Sequence, residues 1–204
     1  MCNEAARRIA LGLMRDDFNE LCIPLRFPEG LPNLASIDSF KITDTSFIIR
    51  ADRTGADTNF AAEGVMRRWS WPGPSGKPVY NYRSDGRDFR NSAAQGRCLI
   101  TADAFYEFTA PVHPRQKLKD KWSFTKSGEA WFGIAGLWRE HPAVGEAFTM
   151  LTCPPGPDIA PYHDRQIVIV ERTDWAGWLS GETPAADVCI PLPAGSLTVE
   201  QVVR

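Results

Sequence analysis

No two cysteines of this chain stand at Cys-x-x-Cys spacing, and no apolar run approaches the about 18 residues of a membrane span. Cys2, Cys22, Cys98, Cys153 and Cys189 are scattered singly, which argues against a zinc ribbon or a thioredoxin-like motif and for free thiols in a reducing, cytoplasmic setting. The three histidines, His113, His141 and His163, are far apart, and no glycine-rich loop suited to cradling phosphates occurs. No metal or organic cofactor is therefore called for. The short apolar patch from Ile9 to Met14 is closed off by Arg8 and Arg15 and has no small-residue cleavage site after it, so it does not read as a secretory signal. Strong charge of either sign is missing too. The formal net charge is -2, so contact with nucleic acid would depend on a local basic groove and not on the average surface.

What is there suits one core. Of 204 residues 43% are hydrophobic, and no repeat or composition shift marks a boundary, so residues 1–204 are expected to form a single domain. Leu11, Met14, Phe18 and Leu21 recur at helical spacing and predict a helix from about Glu4 to Leu21. A proline-rich loop follows through Pro24, Pro28, Gly30 and Pro32. Runs rich in β-branched and aromatic residues predict strands at Ser46–Arg50, Cys98–Thr101, Ala130–Leu137, Ala147–Thr152 and Ile167–Glu171. Trp71–Pro78 carries three prolines and reads as irregular loop. Thr173 is set to cap a short helix bearing Trp175, Trp178 and Leu179 that stops near Gly181. The sum is an α+β domain dominated by short strands.

Cys2 is the sharpest chemical feature. Initiator methionine is commonly removed ahead of a small residue, and the exposed cysteine would then hold an α-amine and a thiol on one framework. Such an aminothiol adds to an aldehyde through its amine and closes through sulfur to a five-membered thiazolidine. An α-amine titrates near ~7.7–8.0 and a thiol near ~8.5, so both have reactive fractions at neutral pH. The plain alternative is a frayed terminus, the commoner state of a second residue. His163, in Pro161-Tyr-His-Asp-Arg165, can move protons near neutral pH or be a structural loop residue. Glu107 stands among aromatics in Ala104-Phe-Tyr-Glu-Phe108. Alternation puts Phe105, Glu107 and Thr109 on one face and Tyr106 and Phe108 on the other, and an apolar setting would raise its carboxyl pKa. The alternative is an edge residue pointing to water. His113 and His141 sit beside prolines and read as loop residues.

Arg67-Arg-Trp-Ser-Trp71, Asn81-Tyr-Arg-Ser84 and Arg87–Arg90 interleave cations with aromatic faces, as a single-stranded nucleic-acid site requires, or else are a core tryptophan with solvated arginines. The run from Arg115 to Lys121 reads as a solvated loop.

In order along the chain these pieces resemble the SRAP family, the SOS-response-associated peptidases or abasic-site processing proteins. The matching elements are Met1-Cys2-Asn3, Arg68-Trp-Ser-Trp-Pro72, Asn81-x-Arg83 and the block from Arg97 to Phe105-Tyr-Glu107. They continue through Phe132-Gly-Ile-Ala-Gly-Leu-Trp138, Phe148–Thr152, and His163-x-Arg165 followed by Val168-Ile169. The resemblance implies a single domain with a bent, barrel-like, mainly antiparallel β core and a few flanking helices. It implies a monomer acting on abasic sites in single-stranded DNA in the damage (SOS) response, with Cys2 as nucleophile, Asn81 orienting the terminus or the sugar, and Glu107 and His163 handling protons. Arg68, Arg83 and Arg165 would hold the strand, and Trp69 or Trp71 would stack near the lesion. A lyase-type β-elimination through the same imine, and a self-processing peptidase step that frees the cysteine, belong to the same expectation. The chain departs from the pattern at Glu4, where many members have arginine and where a carboxylate would repel phosphate. Ser70, Thr101, Gln166 and Ile167 depart from it as well. Two other classes use nearly the same residues: an N-terminal-nucleophile hydrolase attacking amides or esters through Cys2, and a non-catalytic nucleic-acid-binding module.

Overall fold

A computed structural model describes residues 2–52, 60–111 and 117–203. In chain order it has β1 (Glu4–Arg7), α1 (Leu11–Glu20), β2 (Leu25–Arg26), β3 (Ile37–Lys41), β4 (Thr45–Ala51) and β5 (Ala62–Trp69). The short strands β6 (Trp71–Pro72), β7 (Pro78–Val79) and β8 (Asn81–Arg83) follow, then β9 (Gln95–Ala102), β10 (Ala104–Thr109) and β11 (Asp120–Lys126). The last third holds β12 (Phe132–His141), β13 (Gly145–Cys153), β14 (Gln166–Ile167), β15 (Ile169–Val170), α2 (Trp175–Ser180), α3 (Ala185–Val188) and β16 (Leu197–Val202).

Two sheets carry the architecture. One is antiparallel, in the order β16-β11-β10-β1-β3. In the other, β13, β12, β9, β4 and β5 are neighbours in turn, and β5 pairs back onto β13 in parallel through Ala147↔Arg68 and Phe148↔Trp69. That last pairing closes the five strands into a small barrel, and closure removes the unpaired edges that an open sheet would leave. The α+β, strand-dominated class read from the sequence is the class observed. Inside, Ile48, Val65, Trp69, Cys98, Ile100, Ile134 and Met150 pack with Ala5, Phe105 and Phe124 of the first sheet, so one cluster joins both sheets. Gly136 is the close-packing point: a Cβ there would fall 2.5 Å from Ile100 Cδ1 and 2.9 Å from Cys98 Sγ. The outer wall is covered by α1 and α2, whose Met14, Phe18, Trp175 and Trp178 pack on Phe47, Leu99 and Leu151.

Several expectations need correction. The first helix begins at Leu11, not near Glu4. Residues 4–7 are buried and form β1 between β10 and β3, whose ladders satisfy its backbone from both sides. Within the proline-rich loop, Leu25–Arg26 pairs with β5. Trp71–Pro78 is not wholly irregular, because Trp71↔Val79 and Pro72↔Pro78 pair around a turn with Gly76 at φ 76°. The run Ile167–Glu171 is two short strands. Val168 N–H donates to Leu151 O (3.0 Å) and Val168 O accepts from Ala135 N–H (2.8 Å), so the chain crosses between β13 and β12 at that residue. Thr173 does not cap α2. A 3-10 turn (Arg172–Asp174) leads in, the N-cap is Asp174 without a side-chain cap bond, and Gly181 in the left-handed region ends the helix.

Candidate active site

Cys2 lies just ahead of β1 and is 1% exposed, so the second residue of this chain is not a frayed end. Three other elements converge on it. Asn81, on β8, donates from Nδ2 to the Cys2 carbonyl at 2.7 Å, and its Oδ1 is buried with no partner among the described residues. Strand β10 pairs with β1 at Ala5↔Phe105 and Ala6↔Ala104, and extending that antiparallel register brings Glu107 alongside the residues that precede Glu4. The Cys2 backbone N–H donates to the Glu107 carboxylate. The third element is the loop bearing Tyr162, His163 and Asp164. Tyr162 packs on Trp122 (centroids 4.8 Å apart), which is the cross-strand partner of Glu107, and the charge of Asp164 acts on Glu107.

Burial sets the electrostatics. Glu107 is 2% exposed, which rules out the water-facing edge position. Desolvation, aided by the negative Asp164, pushes its carboxyl up from 4.5 to about 7, against the pull of the positive chain terminus and, less, of the Cys2 N–H. Phe105 enters the inner cluster while Tyr106 and Phe108 pack on the opposite face, as strand alternation requires. The Cys2 thiol is pushed up to about 12, first by desolvation and then by the Glu107 charge. A thiol in that state reacts only if a neighbouring base removes its proton as the bond to sulfur forms. His163 Nδ1 accepts from Arg165 N–H at 2.9 Å. Asp164 Oδ1 is also 2.9 Å from Nδ1, a contact that needs the nitrogen protonated, but burial lowers the ring pKa and favours the neutral form with its proton on Nε2.

The residues expected to hold the strand are placed less uniformly. Trp69 is corrected: it is fully buried, donates from Nε1 to Tyr80 O at 2.8 Å and stacks on Phe148, so it has no face open to a base. Arg165 is bidentate to Asp85 (3.1 and 2.6 Å) and donates to Thr152 O at 2.7 Å, so it anchors the His163 loop to β13 and has little left for phosphate. Arg68 is half-buried against Thr43 O (3.3 Å), its Nε without a partner among the described residues, and Arg83 is exposed. Trp71 is 8% exposed and lines a cavity apart from Cys2. Glu4 is corrected too. Its carboxylate is paired with Lys121 and accepts from Ser39 Oγ at 2.7 Å, so its charge is balanced.

Lys121 and Trp122 lie on β11 and Tyr162 packs on Trp122, so Lys121 is part of a strand and not of a solvated loop. The alternating Lys-Trp-Ser-Phe at 121–124 was the available sign of a strand there. Of that basic run, Lys117 to Lys119 are exposed, while Arg115, with His113, lies outside the described residues. Among the described residues no cluster of three or more His, Cys, Asp or Glu side chains is placed to hold a metal, and no helix is long and apolar enough to cross a membrane.

Residues 7–204 match the family described as SOS response associated peptidase (SRAP), so the match starts just past Cys2. An abasic site processing protein, YoqW, from Bacillus subtilis (strain 168) is 23% identical over 181 residues, covering 84% of this chain and 80% of the relative. The Bacillus phage SPbeta protein of the same name matches equally. A crystal structure of a Bordetella bronchiseptica protein superposes with a TM-score of 0.70 at 25% identity, covering 100% of both chains. A protein from Bacteroides thetaiotaomicron gives a TM-score of 0.70 at 12% identity, covering 99% of this chain and 92% of its own, a likeness of fold alone.

Proposed function

The chain belongs to the SRAP family, and we propose that it captures the aldehyde of abasic sites in single-stranded DNA by closing a thiazolidine on Cys2. The observation that carries this reading is that one buried carboxylate, Glu107, faces the backbone nitrogen of Cys2 while its charge is felt by the thiol of the same residue. Once Met1 is removed, that nitrogen is the α-amine that must attack.

The chemistry balances with this chain's own groups. The amine adds to the aldehyde carbon to give a carbinolamine. Glu107, with a pKa of about 7, is present in both forms at neutral pH. Its acid form protonates the departing hydroxyl, which leaves as water and yields the iminium. Its carboxylate form then takes the thiol proton while sulfur bonds to the iminium carbon and the ring closes. Asn81 fixes the residue 2 carbonyl, so that amine and sulfur meet the same carbon, and its Oδ1, without a partner among the described residues, offers a buried acceptor to a sugar hydroxyl. His163, neutral at working pH, serves the ring-opening of the sugar or the reverse of ring closure. The reading includes the coarser expectations of the family: monomeric action in DNA damage repair, and self-processing that frees Cys2.

Incubating the protein with single-stranded DNA carrying one abasic site tests it. A shifted band that survives denaturation and is lost in Cys2→Ala is expected. With intact mass showing Met1 absent, failure to form that band would sink the proposal, and cleavage of an amide substrate by the same preparation would turn the reading to the hydrolase.

A further inference from the structure

On the outer wall of the barrel lies a cavity of about 370 Å³ lined by Trp71, Tyr82, Phe89, Arg87, Arg90 and Arg139, a size usual for small-ligand sites. Its Tyr82, Phe89 and Leu137 belong to the outer cluster, and only Trp138 of its lining is shared with the inner cluster that holds Cys2. Residues paired in parallel β-structure project to one side. Asn81 pairs with Met150 of the inner cluster, and Tyr82 with Leu151 of the outer one. Asn81 and Tyr82, adjacent in sequence, therefore serve opposite faces.

The chemistry of the lining is specific. The Arg139 guanidinium lies 5.6 Å from the Trp71 ring centroid and that of Arg87 4.7 Å from the Tyr82 ring, with Arg87 Nη1 donating to the Tyr82 hydroxyl at 2.7 Å. Among the described residues no carboxylate pairs with Arg87 or Arg139. Asp88 is the one acid among the described residues of the lining. It is shared between Arg97 at 3.3 Å and Arg90 at 3.8 Å, and Arg90 is 91% exposed. Three cations thus face one engaged acid, in a chain whose formal charge is -2. Arginines held over rings keep their outer donors free, and planar guanidinium forks suit phosphate. Phe89 meets Tyr82 edge-on (6.3 Å, 70°), which widens the aromatic wall. An anion joined to a flat ring satisfies both halves of the cavity.

We propose that this cavity is a noncovalent site for one nucleotide unit, its phosphate held by Arg87, Arg90 and Arg139 and its base laid against Trp71, Tyr82 and Phe89. No cysteine is among the described residues that line it, so it is independent of the Cys2 chemistry and stands whether or not a crosslink forms. A free mononucleotide and one unit of a single strand share the chemistry required.

Amide chemical-shift mapping of the full chain with deoxyadenosine monophosphate, and separately with a short thymidine oligonucleotide lacking any abasic site, tests it. The expected shifts concentrate at Gln95, Gly96 and Arg139 and spare Asn3 and Glu4. Shifts with both ligands assign the site to nucleotides generally, and shifts with the oligonucleotide alone assign it to a strand. The exposed-side-chain double variant R90Q/R139Q, its fold checked by thermal melting, should bind about tenfold or more weakly. No shift with either ligand, shifts confined to the Cys2 face, or equal affinity in the double variant would each overturn the proposal.

Discussion

The Asn81 amide and the Cys2 carbonyl meet at 2.7 Å although 79 positions separate them in the chain. A β8 residue thereby fixes the orientation of the second residue, which in most proteins is free. If that bond orients amine and thiol toward one carbon, Asn81→Ala should slow crosslinking by about 10–100-fold in single-turnover assays while melting temperature changes little. A rate matching wild type would show that β1 pairing alone positions Cys2.

Glu107 supplies a pH prediction with a definite sign. Burial raises its folded carboxyl from 4.5 to about 7, so the fold favours the protonated form. The stability this contributes is complete below about 4.5 and is lost as pH rises through about 7, where a buried carboxylate must ionise. Glu107→Gln keeps shape and removes the ionisation. The variant should therefore melt close to wild type at pH 5 and clearly above it at pH 8. A gap that is constant across this range would show that Glu107 ionises in the fold as it does in the unfolded chain.

Cys2→Ser separates the two bonds of the proposed reaction. The amine still forms an imine, but a hydroxyl closes the ring far less readily than sulfur. Borohydride should trap an adduct with abasic DNA, whereas without reductant the stable band should vanish. An unreduced stable band in Cys2→Ser would show that another nucleophile makes the crosslink.

How far the sequence reveals the molecule depends on the range of the forces involved. Strand alternation is local, so the side on which Glu107 falls was legible from Phe105 to Thr109. The helix boundary was not, because Glu4–Arg7 is held by β3 and β10, partners that lie 30–37 and 98–100 residues along the chain, and local spacing cannot register them. The tryptophans show the same limit. Trp69 and Trp71 are two residues apart and equally aromatic, yet one fills the barrel and the other lines an outer cavity. Barrel closure through Phe148↔Trp69 decides between them. Trp69→Ala should thus cost about 3–5 kcal/mol in denaturant unfolding. Trp69→Phe should leave oligonucleotide affinity unchanged, and a selective loss of affinity there would restore a stacking role.

Glu4 and Lys121 argue the last case. The carboxylate side chain is 8% exposed and the ammonium 13%, so neither is solvated well enough to stand alone. Lys121 is further held 3.7 Å from the Tyr106 ring centroid. The pair lowers the Glu4 carboxyl pKa even though burial alone would raise it. Removing only the cation, in Lys121→Met, strands a buried carboxylate beside the segment that carries Cys2 and should destabilise by about 3–5 kcal/mol. Adding Glu4→Gln removes the stranded charge, so the double variant should recover much of that loss, which a double-mutant cycle in urea measures. It should also recover crosslinking, because β1 again lies flat against β10. If the double variant is as unstable as Lys121→Met, the lysine acts through its packing on Tyr106, and the balance of charge at Glu4 is incidental to how the chain holds its nucleophile.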